Sequence, residues 1–193
     1  MVNLKQEVSK SDLSFVYYQI SQINLRVANI KTDLYRGDDI NNPHDISPED
    51  IEENNGISLP QATIMDCQII VELSAKSIFK SLGVNPVQKH DITFDNERVS
   101  GLLGRIPEGE DFTENVPRVI FLTQFWERFY TLAKYGVPEQ NLSSFELMEP
   151  SDALRAVQDA EFCQETASEV FYYVLDELDL ETQDLDANPL EYV

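Results

Sequence analysis

The sequence predicts an all-α fold, an up-and-down bundle of four long helices plus one short helix. Three observations predict it. Apolar residues recur at steps of three and four in four long stretches, and no stretch shows the period-two alternation of a half-buried strand. Gly37, Gly83 and Gly136 stand where three of those stretches stop. The chain has 193 residues, 42% hydrophobic and 10% aromatic, enough for one sizeable core and too apolar for a disordered chain despite a formal net charge of -21. The expected organisation is a single helical domain over residues 1–178 with an acidic insertion loop at 37–58. An acidic, flexible tail over 179–193 follows it.

The first element follows from Leu13, Val16, Ile20, Ile23, Val27, Ile30 and Leu34, a narrow seam over three heptads. With Ser11 as N-cap and Gly37 past Arg36, the helix is placed at about 11–36. Its seam suits a bundle helix, or a coiled-coil partner. Gly37 to Ser58 then carries seven acids and no Lys or Arg, punctuated by Asn41-Asn42-Pro43 and Asn54-Asn55-Gly56. The second helix, about 60–82, is apolar around most of its circumference and should be the most buried. Glu72 and Lys76 lie four apart on its thin polar stripe, in the order that favours a helical ion pair.

A short amphipathic stretch, Phe94 to Leu103, is read as a small helix or turn. The third long helix, about 114–135, is so rich in aromatic side chains that it should pack in the core. The last runs from about Ser151 to Leu178. No Lys or Arg follows Arg155, whereas Ala156 to Val193 holds eleven acids.

Composition narrows the function. No apolar run is long enough to span a bilayer and the amino terminus has no apolar signal core, so a soluble, cytoplasmic protein without membrane contact is expected. The negative charge opposes non-specific binding to nucleic acid. It suits either a high internal salt or an ordinary acidic protein with its excess in loop and tail. Cys67 and Cys163 fall inside apolar helical patterns and read as buried small hydrophobes. Two His, His44 and His90, exclude a multi-His metal site, and no Gly-rich phosphate loop or nucleophile elbow is present. No cofactor and no metal are expected.

The segment Val71-Glu72-Leu73-Ser74-Ala75-Lys76-Ser77-Ile78-Phe79-Lys80-Ser81-Leu82-Gly83-Val84, with Pro86 and Lys89-His90-Asp91-Ile92 after it, closely resembles the central segment of HEPN domains. These are helical domains of higher eukaryotes and prokaryotes associated with nucleotide-binding partners. Lys134-Tyr135-Gly136-Val137-Pro138, before Asp152-Ala153-Leu154-Arg155-Ala156-Val157, looks like the family's Tyr-Pro turn leading into its last helix. The resemblance covers most of residues 11–178. It implies a four- to five-helix bundle that often dimerises and, in many members, a metal-independent ribonuclease. Those members carry an Arg and, after four to six intervening residues, a His at the end of the third helix. Arg128 stands in that region, but Lys134, followed by Tyr135, occupies the place of the His. A lysine of ordinary pKa is protonated at pH 7 and is a poor base.

The candidate site residues are therefore Arg128, Lys134, Tyr135 and His90 for catalysis. Glu72, Lys76 and Asp91 are the polar residues for binding or structure. His90-Asp91 also reads as a helix-start pair that orients and caps, and Arg128 as the partner of Glu127 or Glu161. The leading expectation is a non-catalytic or degenerate binding and dimerisation module, one component of a toxin–antitoxin or defence system. Its expected partners are a second copy, a nucleotidyltransferase-like protein, and RNA or a nucleotide. The rivals are a metal-independent ribonuclease toxin using Arg128, and an acidic protein binding a basic partner through its tail.

Overall fold

The computed structural model describes residues 17–26, 28, 60–85 and 96–177. Within them the chain is helical, with no strand beyond one isolated bridge between Val137 and Leu142. Residues 17–26 form α1, Pro60–Ser81 α2, Asn96–Leu103 α3, Asn115–Tyr135 α4, Ser144–Leu147 α5 and Pro150–Glu177 α6. Short 3-10 turns stand at Asp111–Thr113 and Pro138–Gln140. The acidic insertion, the tail and most of the predicted first helix lie outside the described residues.

As its near-continuous apolar circumference dictates, α2 is the central element, packed chiefly against α6 and α4. It ends in a Schellman motif: Gly83, at φ 71°, donates to the Lys80 carbonyl at 3.0 Å, and Val84 donates to that of Phe79 at 2.8 Å. The Arg105 guanidinium donates to the Leu82 and Gly83 carbonyls at 3.0 and 2.7 Å, placing a cation where the helix dipole is negative.

The buried side of α6 is a strict three-four stripe, Ala153, Ala156, Ala160, Cys163, Ala167, Val170 and Val174, all buried. Small side chains let the neighbouring backbones come close, so contact area is gained by proximity rather than by side-chain bulk. α6 opens on Pro150 at a position where the missing N–H has no partner to lose, and the Asp152 carboxylate accepts the Glu149 backbone N–H at 2.9 Å. α1 docks near the other end of α6 through Tyr18. Its ring stacks on Phe171 at 5.1 Å, and its hydroxyl lies 3.0 Å from Ser168 Oγ and accepts from Gln22 at 2.7 Å.

One sequence expectation needs adjusting. α4 does not pack wholly in the core, because only one side of it is buried: Val116, Val119, Ile120, Leu122, Trp126 and Ala133 face inward, while Phe121 and Phe125 face out. The loop between the last two long helices has local structure of its own. It holds a 3-10 turn and α5, whose Glu146 carboxylate accepts from the Ser143 N–H at 2.8 Å and hydroxyl at 2.7 Å. Both cysteines are free and buried, as read from the sequence. Among the described residues no helix is long and apolar enough to cross a membrane.

Candidate functional site

Three of the candidate residues, Arg128, Lys134 and Tyr135, share α4, and the helix separates them. At about 100° per residue, positions six apart diverge by about 120°, whereas positions seven apart nearly superpose. Arg128 and Tyr135 thus lie on one face, and Lys134 is turned away from it. The Lys134 ammonium sits over the Tyr130 and Tyr135 rings, 5.5 and 5.2 Å from their centroids. The Tyr135 phenol first, then Tyr130, favours the charged form and holds the Lys134 pKa above the ordinary lysine range. A group moved in that direction is a weaker candidate for accepting a proton at neutral pH.

Arg128 is exposed and makes no hydrogen bond or ion pair among the described residues, so the pairing with Glu127 or Glu161 is not formed there. It stands in the middle of a stripe at steps of four, three, four and three: Phe121, Phe125, Arg128, Leu132 and Tyr135. Phe121 and Tyr135 are each 61% exposed and Phe125 38%. The Phe121 and Phe125 rings stack at 6.1 Å, and Phe125 leans on Phe129 at 4.8 Å and edge-on to Trp126 at 5.1 Å. The outer rings are therefore held by a ladder that reaches the core, which fixes their orientation at little further entropic cost. α4 as a whole carries Arg118, Arg128 and Lys134 against Glu127 alone, on a chain of net charge -21.

Glu72 and Lys76 do form the helical pair. Lys76 Nζ donates to Glu72 Oε1 at 2.6 Å, and Gln68 Nε2 donates to Glu72 Oε2 at 3.2 Å. Both charged side chains are less than a tenth exposed, so the polar stripe on α2 is an internal one. Each charge answers the other, an arrangement in which removing one partner is more costly than the pair is stabilising. His90 and Asp91 lie outside the described residues.

One densely bonded carboxylate was passed over by sequence reasoning. Asp159, buried on α6, accepts from Trp126 Nε1 at 3.2 Å and from Arg155 Nε at 3.1 Å, and lies 3.6 Å from the Arg118 guanidinium. Arg118 also covers the Phe162 ring at 4.1 Å from its centroid. This knot ties α4 to α6 and uses up Arg118 and Arg155 as structural cations. The signal in the sequence was an acid between Val157 and Ala160 with Arg four residues before it. Cys163, one turn further, has its thiol pKa pushed up by burial and then by the Asp159 carboxylate, and is correspondingly unreactive. Among the described residues no three His, Cys, Asp or Glu side chains converge as a metal ion would require.

The described site is thus an exposed aromatic stripe centred on one unengaged guanidinium, with no adjacent base. Compared with known proteins, the chain matches no family model, no curated protein and no solved structure.

Proposed function

We propose that this chain is a HEPN-like bundle acting as a non-catalytic or degenerate binding and dimerisation module, one component of a two-component toxin–antitoxin or defence system, and that the outer face of α4 is its contact surface. The observation that carries the reading is the stripe from Phe121 to Tyr135: large rings exposed in register around Arg128, on the least acidic long helix of a very acidic chain. Contiguous exposed apolar surface of this kind marks interaction sites more often than it marks free surface. A symmetric contact about Arg128 would set Phe121 of one copy against Tyr135 of the other, the self-complementary pairing of a two-fold interface. A nucleotidyltransferase-like protein, or RNA and nucleotides that stack on the rings and pair with Arg128, would use the same face.

The alternative, a metal-independent ribonuclease, is favoured by one observation only, the unengaged Arg128 guanidinium. Incubating the purified chain with a mixed RNA pool, with and without EDTA and beside Arg128→Ala, separates the two. The module reading expects no cleavage in any arm. Cleavage that survives EDTA and disappears in Arg128→Ala would replace it with the ribonuclease.

A further inference from the structure

Held in the fold as cations, Arg118 and Arg155 are not exhausted as donors. Arg155 gives Asp159 its Nε–H alone, at 3.1 Å, and the Arg118 guanidinium stands 3.6 Å from the same carboxylate, too far for a hydrogen bond. The two arginine side chains are 61% and 52% exposed, against 3% for the acid that holds them. One buried carboxylate thus presents two guanidinium groups to solvent, one drawn to each of its oxygens.

We propose that the free edges of Arg118 and Arg155 form a binding site for a small tetrahedral dianion, either inorganic phosphate or the phosphate group of a small phosphomonoester. The site needs neither Arg128 nor a second copy of the chain.

Preorganisation sets this pair apart. Arg26 and Arg128 are also exposed, but neither meets a carboxylate among the described residues, so each must give up its side-chain freedom to hold a ligand. Arg155 is already fixed by Asp159, and Arg118 by the same carboxylate and by the Phe162 ring, 4.1 Å from its guanidinium. The ring covers the flat face of Arg118 and leaves its N–H edges open. Asp159 answers one of the two positive charges. A planar fork meets two oxygens of a phosphate side by side, which a monatomic ion cannot imitate.

The acids of α6 do not crowd the pair. Asp152 is engaged at the helix start, where it accepts the Glu149 N–H at 2.9 Å. Glu161 and Glu165 lie about 160° and 120° around the helix from Asp159. Glu114, exposed one turn before Arg118, opposes the anion across solvent, where salt screens it. Two charge-assisted contacts against that opposition put the dissociation constant on the order of 1 mM.

Trp126 reports on the site, because its Nε1–H shares Asp159 Oδ2 with the Arg155 Nε–H. An anion that draws on Arg155 changes that sharing and moves the indole N–H signal. Titrating the full chain with inorganic phosphate, and separately with phenyl phosphate, at constant ionic strength should shift this NMR signal saturably, with calorimetry giving the same dissociation constant. Arg118→Gln and Arg155→Gln should each weaken binding about tenfold. Arg155→Lys, which keeps the charge and loses the fork, should weaken it about threefold, and Arg26→Gln should leave it unchanged. Tighter binding of phenyl phosphate assigns the ester, and equal or tighter binding of inorganic phosphate assigns the free ion. Should Arg155→Gln loosen the fold, Arg118→Gln carries the test, since it breaks no hydrogen bond. The absence of a saturable shift by about 20 mM of either compound would overturn the proposal. So would a shift that NaCl alone reproduces, or a loss in Arg26→Gln equal to that in Arg118→Gln, which would assign the effect to general charge.

Discussion

α6 buries alanines, and α4 exposes phenylalanines. Along the inner stripe of α6 the side chains from Ala153 to Ala167 are small and wholly covered, while Phe121 on α4 stands 61% exposed. Hydrophobicity alone would order these two surfaces the other way. What decides is shape: a row of alanines gives a flat surface that a neighbouring backbone can reach, so nothing about it is left for solvent or partner. The α4 stripe is a ridge of rings with one side locked to the core through Phe125 and Trp126 and the other left over. The first surface is finished by the fold, and the second is available for binding.

Substitutions on either side test this division. The largest effect is expected at the seam, where Ala160→Leu has no space to enter and should destabilise the chain by about 1–3 kcal/mol in denaturant unfolding. A loss well under that range would mean that the α2–α6 contact is looser than its buried alanines indicate. On the ridge, Phe121→Ser removes more hydrophobic side chain but little buried area, and should shift monomer stability by no more than about 0.5 kcal/mol. A cost comparable to that of Ala160→Leu would show that the ridge belongs to the folded core.

The smallest effect concerns α5, which adds another exposed ring, Phe145, close to α4. The Ser143 hydroxyl and then its N–H hold the Glu146 carboxyl below its ordinary value of 4.5. A carboxylate whose folded pKa is depressed contributes stability above its unfolded pKa and loses it as pH falls through the folded value. Amide exchange in Ser144–Leu147 should therefore accelerate as pH drops below the ordinary carboxyl value of 4.5 by more than the intrinsic exchange rate predicts, and Glu146→Gln should show the faster exchange already at neutral pH.

How much of this was legible beforehand depended on the range of the interaction. The boundaries of α2, α4 and α6 followed to within a residue or so from periodicity and from Gly83, Gly136 and Ser151, because capping is local to a few residues. Gly136 is the firmest of these stops. At φ 66° it sits where a side chain would run into the Leu142 carbonyl. The Glu72–Lys76 pair was visible for the same reason, being four residues apart. Its burial was not, since that depends on what the rest of the chain lays over α2. The Asp159 knot was out of reach because Trp126 and Arg118 come to it from another helix, more than thirty residues away in sequence. The inner and outer sides of α4 could not be told apart by composition, as both are aromatic. Arg128 and Lys134, grouped by sequence proximity, are parted by the helical turn itself.

Trp126 is the only tryptophan in the chain, and its indole N–H is held by Asp159. Emission excited at wavelengths that tryptophan alone absorbs therefore originates at a single joint, the crossing of α4 and α6. Fluorescence reads that joint opening, circular dichroism reads the helices as a whole, and any lag between the two curves times the parting of one helix pair against the melting of the rest.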